Sequence, residues 1–244
     1  MYEPTGHGRD KVVNDVDFAE AAPPADLQAV VHRALRVQTR APLATDYRFH
    51  ALPDACAYVV LNQRDPAIAG VTRLRASSEE LNLGRDFHFV NMRLLPGVWQ
   101  GPRLSYGQVE APYDGDLPLL ALNRSIAGHS FDTALPALWD FARNLVGQGL
   151  LKPNPVTQAI FARIVDIHSV ADMAAVAGLS TRQLQRVLKS TAGFTPHDFL
   201  KVLRLQQSLR GTPSLSYADQ SHFIHAFRRA TGYTPGQYAR KFNV

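Results

Sequence analysis

The stretch SVADMAAVAGLSTRQLQRVLKSTAGFTP, Ser169 to Pro196, holds two helix starts separated by a glycine turn. Ser169 with Asp172 makes an S-x-x-D start, and Ser180 with Gln183 an S-x-x-Q start. In each, the serine oxygen can accept a backbone N–H that the first helical turn leaves without a partner. Gly178-Leu179 leaves only a short turn between them, which is helix-turn-helix spacing. On the second helix Leu184, Val187 and Leu188 share one face and are expected to point inward. Arg182, Gln185, Arg186 and Lys189 then point outward. Arginine can bridge O6 and N7 of guanine, glutamine can pair with N6 and N7 of adenine, and lysine suits a phosphate. An ordinary helical hairpin with a solvated charged face is the competing reading. The coincidence of caps, turn and polar face favours DNA.

Composition is consistent with this. The chain has 244 residues, 45% of them apolar, with a net charge of +5. That length suits one large or two modest domains. Arginine supplies most of the positive charge, which suits an anionic partner. No apolar run reaches the roughly 18 residues of a membrane span. The start, MYEPTGHGRDKVVNDVDF, lacks the apolar core of a secretory signal, so a cytoplasmic protein is expected. A single cysteine, Cys56, excludes an internal disulfide and a multi-thiolate metal site, and reads as a small buried hydrophobe.

Residues 1–25 end in AAPPAD and read as a loose leader. DLQAVVHRALRVQTR, from Asp26, places Leu27, Val30, Val31, Ala34 and Leu35 at helical spacing, with Asp26 as a cap and Pro42 beyond the end. From Tyr47 to His129, segments such as ACAYVVLN, IAGVTRL, FHFVNMRLL and LSYGQVEAP alternate with turn residues and read as strands of a sandwich or small barrel. SFDTALPALWDFARNLVGQG reads as a helix with Leu138, Phe141, Ala142 and Leu145 on one face. That face is either intramolecular core or a dimer surface. KPNP, Lys152 to Pro155, is the best domain boundary, with Asn154 able to cap a helix that starts at Pro155. The expected fold class is α+β: a leader (1–25), a β-barrel ligand-sensing domain with flanking helices (26–150), and an all-α DNA-binding domain (154–244).

The region from Ala159 to Phe242 resembles the AraC/XylS family of transcriptional regulators. The resemblance rests on AGLSTRQLQRVLKSTAGFTPHDFLKVLRL and YADQSHFIHAFRRATGYTPGQY, and above all on the paired endings TAGFTP and ATGYTP. It implies two helix-turn-helix units joined by a long helix, each reading one major-groove segment. By position, Arg182, Gln185 and Arg186 would read bases in the first unit. Gln220, Ser221 and His225 would hold the matching face of the second, with Arg228 and Arg229 on phosphates. This sequence departs from the family in its join, QQSLRGTPSLS, which is too short for a full supporting helix in the second unit. His225 also stands where the family commonly has a basic residue. The first unit is therefore expected to carry most of the reading.

The N-terminal half resembles, more weakly, the cupin-like sensor domains of such regulators, through LPDACAYVVLN and NMRLLPGVWQG. Its histidines, His50, His88 and His129, lack a paired H-x-H, so neither a metal nor a catalytic site is assigned. Two short patterns, RVQTR (Arg36 to Arg40) and NRSIAG (Asn123 to Gly128), together resemble the signature of PilZ domains, which bind cyclic di-GMP. A guanidinium can fork onto a phosphate or a guanine edge, and Arg36 and Arg40 share one side of a helix or of an extended segment. Asn123 and Ser125 would bond a guanine edge, and Gly128 would permit close approach. The two patterns lie much farther apart than in PilZ, so another architecture must bring them together.

The reading is a ligand-responsive transcription regulator, an activator, with double-stranded DNA and cyclic di-GMP as partners. It needs no cofactor and no membrane. A homodimer is expected, with RNA polymerase as a further partner. The alternatives are a regulator with another small-molecule effector, a cupin-type enzyme with a degenerate helical appendage, and an interaction protein that does not bind DNA.

Overall fold

The computed structural model describes residues 2–13, 15–72, 74–101, 117–210 and 220–243. The N-terminal half holds two antiparallel sheets. The strands are β1 (His7–Asp10), β2 (Val16–Ala21), β3 (Val31–Thr39), β4 (Arg48–Ala51), β5 (Ala57–Asn62), β6 (Ala69–Val71), β7 (Glu79–Asn82) and β8 (His88–Leu94). The last strand, β9, is Phe242–Asn243 at the far end of the chain. One sheet runs β7-β4-β1-β9 and the other β2-β3-β8-β5-β6. The expected strands ACAYVVLN, IAGVTRL and FHFVNMRLL are β5, β6 and β8. LSYGQVEAP lies outside the described residues.

The helix expected from Asp26 is instead a short 3-10 turn, Ala25–Leu27, followed by β3. Two features produced the helical spacing. β3 lies between β2 and β8, and its register shifts at Val31/Arg33. A bulge of that kind changes which face the next residue meets. Both faces of β3 are also covered, so buried residues occur on both and strict alternation is lost. The stretch 1–25, expected to be a loose leader, supplies β1 and β2 and thus a strand to each sheet.

Eight α-helices come next among the described residues. α1 (Leu119–Ser125) and α2 (Phe131–Gly147) lie against the outer face of the five-stranded sheet. Leu138, Phe141, Ala142 and Leu145 of α2 are buried there with Val59, Leu61, Val90, Met92 and Leu94, so the apolar stripe of α2 is intramolecular core. The other helices are α3 (Pro155–Ala162), α4 (Val170–Val176), α5 (Thr181–Thr191), α6 (Pro196–Leu209), α7 (Gln220–Thr231) and α8 (Pro235–Lys241). Asn154 caps α3 with Pro155 at its start, and Thr195-Pro196 and Thr234-Pro235 open α6 and α8 in the same way.

The two halves share a polar and aromatic joint. Residues 2–6 cross it. Tyr2 stacks on Phe161 of α3 with ring centroids 4.1 Å apart, and its hydroxyl donates to the Asp54 carbonyl at 2.9 Å. The Thr5 N–H donates to Gln206 Oε1 on α6 at 2.7 Å, and Gln206 Nε2 donates to the carbonyls of Thr5 and Pro53. At the other end β9 pairs with β1, and Phe242 stacks on His50 of β4 at 4.8 Å.

His32, buried beside this arm, has Glu3 Oε2 at 3.0 Å from Nε2 and Arg93 Nη1 at 3.3 Å from Nδ1. An arginine can only donate, so Nδ1 accepts and the ring is neutral with its proton on Nε2. Burial first, and then the Arg93 charge, push its pKa from 6.5 down to about 4. As pH falls through that window the unfolded chain takes up a proton that the folded chain refuses, so stability falls. Replacing His32 with Gln should make the urea midpoint less pH-dependent between pH 6.5 and 4, by on the order of 1–3 kcal/mol across the window. An unchanged slope would show that His32 is charged in the fold.

Candidate nucleic-acid interface and sensor surfaces

The first helix-turn-helix is α4, a turn through Gly178, and α5. The turn needs a left-handed residue, and Gly178 supplies it at φ 66°. Ser169 caps α4 through the Asp172 N–H, and Ser180 with Gln183 forms a reciprocal capping box on α5. Leu184 and Leu188 are buried with Met173, Ala174, Phe199 and Leu203, which seats α5 on α4 and α6. Val187 is half-buried. The opposite face is free. Arg182, Gln185, Arg186 and Lys189 are all exposed, and among the described residues none has a hydrogen bond or ion pair. Four side chains suited to bases and phosphates therefore project from one anchored helix.

The described part of the second unit is α7 and α8. α7 packs Phe227 against Leu205 of α6, Tyr238 of α8 and Leu52 of the sheet half. Gln220, Ser221, His225 and Arg228 are exposed on it, as is Arg229. The segment where a supporting helix would precede α7 lies outside the described residues.

The groups of the two short patterns are placed differently from expectation. RVQTR lies on β3 and its end. NRSIAG, expected on the barrel, spans the last turn of α1 and the bend into α2. Arg36 Nη2 donates to Asp17 of β2, Arg40 is 3.7 Å from the same carboxylate, and Arg36 Nε is buried without a hydrogen-bond partner among the described residues. Asn123 is fully buried. Its Nδ2 lies 3.1–3.2 Å from the carbonyls of Asn62, Pro66 and Ile68, and its Oδ1 accepts from Gln63 Nε2. It thereby ties the β5–β6 connection to α1. The Ser125 hydroxyl donates to the Leu122 carbonyl at 2.8 Å, and Gly128 turns the chain at φ 76°. The Arg36 guanidinium lies 5.5 Å from the centre of the ring of Phe131, which opens α2 three residues beyond Gly128.

A feature that the sequence did not disclose lies on the other face of the same sheet. Between the two sheets is a cavity of about 350 Å³, walled mainly by apolar side chains such as Phe18, Leu35, Phe49, Val60 and Phe89. Strand alternation turns Asn91 and Arg93 of β8 into it along with Phe89. The signal was present in FHFVNMRLL as polar residues in phase with Phe89. Its meaning depends on which face is enclosed, and only the pairing of the sheets decides that. Of the histidines weighed as metal ligands, His50 stacks on Phe242, His88 opens β8 and His129 lies between α1 and α2. Among the described residues no group of three His, Cys, Asp or Glu side chains is placed to hold a metal ion. No described helix is long and apolar enough to cross a membrane.

Because the two N–H groups of the buried Asn123 amide serve three loop carbonyls between them and its oxygen accepts from Gln63, Asn123→Ala should lower folding stability by about 2–4 kcal/mol, with or without any nucleotide present. Chemical denaturation checks this. A loss below about 0.5 kcal/mol would mean that the Asn62–Ile68 connection does not depend on it.

No protein-family description matches the chain, and no solved structure matches it. It is similar to the HTH-type transcriptional regulator MtrA of Neisseria gonorrhoeae, with 33% identity over 95 residues. The match covers 34% of this chain and 32% of that protein, so it spans about a third of the length of each.

Proposed function

We propose that the chain is a DNA-binding transcription regulator of the AraC type, with α5 as its principal reading helix and the two-sheet half as a cupin-like sensor. The observation that carries this is the outward face of α5, where Arg182, Gln185, Arg186 and Lys189 are exposed and unpaired on a helix fixed by its capping box and its buried leucines. Such a face can enter a major groove with its side chains already free of internal partners. The similarity to a regulator of the helix-turn-helix type supports the same reading. α7 adds phosphate contacts through Arg228 and Arg229. A dimer would place two α5 helices on two half-sites, and activation would proceed through contact with RNA polymerase.

Fluorescence anisotropy with duplex DNA tests it. Affinity should fall steeply with added salt, as expected when phosphate counterions are released. Lys189→Ala should reduce the salt slope by about one while weakening all sequences alike. Arg182→Ala or Arg186→Ala should cost about 1–3 kcal/mol on a selected site and relax its specificity. Salt-insensitive or undetectable duplex binding would favour an interaction protein instead.

A second reading concerns the effector. The reading has cyclic di-GMP bound at Arg36, Arg40, Asn123, Ser125 and Gly128, and what supports it is the contact of Arg36 with Phe131, three residues after NRSIAG. Arg36 would exchange Asp17 for a phosphate, while Asn123 would have to give up its internal bonds or act only by holding α1 in place. Calorimetric titration with cyclic di-GMP should show micromolar or tighter binding by the wild type, lost in an Arg36→Ala/Arg40→Ala variant. No heat from the wild type removes this effector.

A further inference from the structure

Asn91 lies in the middle of the five-stranded sheet, with Leu35 of β3 and Val60 of β5 directly across from it. All three line the cavity between the sheets. The Asn91 side-chain oxygen is buried, and among the described residues it has no hydrogen-bond partner. A bare amide oxygen in an apolar wall is unfavourable unless something donates to it. Two positions along the strand, Arg93 Nε is likewise buried without a hydrogen-bond acceptor. Its nearest carboxylate oxygen, on Asp54, is 3.9 Å away, beyond hydrogen-bond range.

Most charges around the cavity already have partners: Arg36 has Asp17, Arg75 is paired with Glu79 at 2.8 Å, Glu20 lies 3.6 Å from Arg33, and Arg93 has Asp54 3.9 Å away. His7 stacks between Phe18 and Phe49 and is held neutral, its pKa pushed down to about 3 by burial and then by Arg9 and Arg93. An anionic ligand would set its charge against walls that are mainly apolar. A large polar ligand would leave the apolar walls unmatched. About 350 Å³ lies at the small end of ordinary ligand pockets.

The geometry points to a binding site between the sheets for a neutral, mainly apolar small molecule carrying one hydrogen-bond-donating group, such as an arylamine or alcohol, which donates to Asn91 Oδ1. As the effector class of the sensor this rests on the regulatory reading above, whereas the binding itself does not. The ring or alkyl body would lie on Leu35, Val60 and Phe89. A hydroxyl head could in addition accept from Arg93 Nε.

Two dyes that share one skeleton test charge and donor together. N-phenyl-1-naphthylamine is neutral with one N–H, and 8-anilino-1-naphthalenesulfonate is the same ring system with a sulfonate. Titrated into the full chain, the neutral dye should bind saturably at one site per chain with a rise in fluorescence. The sulfonate should bind at least about tenfold more weakly. Val60→Trp, which fills the cavity, should abolish binding of the neutral dye. Asn91→Leu, close in volume and without the acceptor, should weaken it about tenfold while leaving far-ultraviolet circular dichroism unchanged. Absence of saturable binding by the neutral dye, equal or tighter binding of the sulfonate, or unchanged affinity in Asn91→Leu overturns the proposal. Duplex anisotropy on the same samples separates the two readings. Salt-sensitive DNA binding without dye binding removes this ligand class and leaves the regulator. Dye binding without DNA binding does the reverse.

Discussion

A buried guanidinium organises the N-terminal half. Arg93 is only 2% exposed, and a charge so enclosed needs partners on every side. Its Nη1 donates to the Pro4 carbonyl at 2.8 Å, His32 accepts from it, Asp54 lies close by, and the Tyr58 ring is 5.6 Å from its centre. These partners come from the N-terminal arm, from β3, from the turn before β5 and from β5 itself. Holding Arg93 therefore holds the arm to the sheet. The same arm reaches α6 through Thr5 and Gln206, so a charge in the sheet half is two steps from the helix that joins α5 to α7.

The five-stranded sheet offers a different chemistry on each face. Toward α1 and α2 it presents Arg36, paired with Asp17 and covered by Phe131. Toward the second sheet it presents Asn91 among apolar neighbours. Alternation along β3 and β8 is what lets one sheet carry both.

The C-terminal helices were legible in the sequence because their signals are local. Ser169, Ser180, Asn154 and the two Thr-Pro pairs each act within one turn of the helix they start. The outward face of α5 came out of its leucine spacing for the same reason. β3 was not legible. Its valines and alanines sit in helical phase because a bulge and two covered faces interrupt the strand period. β1, HGRD, is polar and short, and only its pairing partners make it a strand. Asn123 shows the limit of motif reading: four atoms of loop and side chain consume the amide that the pattern offered to a guanine. The cavity was hidden because it is a property of two sheets facing each other, and no single segment contains it.

The pairing of β9 with β1 also has a consequence in time. Arg9 and Asp10 meet Asn243 and Phe242 across nearly the whole chain. As the polypeptide leaves the ribosome, the open edge of β1 must wait for the last helices to be made before it is covered. Until then that edge presents unpaired backbone groups to any other strand. Contacts of such sequence separation form late and slowly. The edge of β1 is thus covered only after α7 and α8 have been made. A nascent chain halted before Phe242 would carry an exposed strand edge.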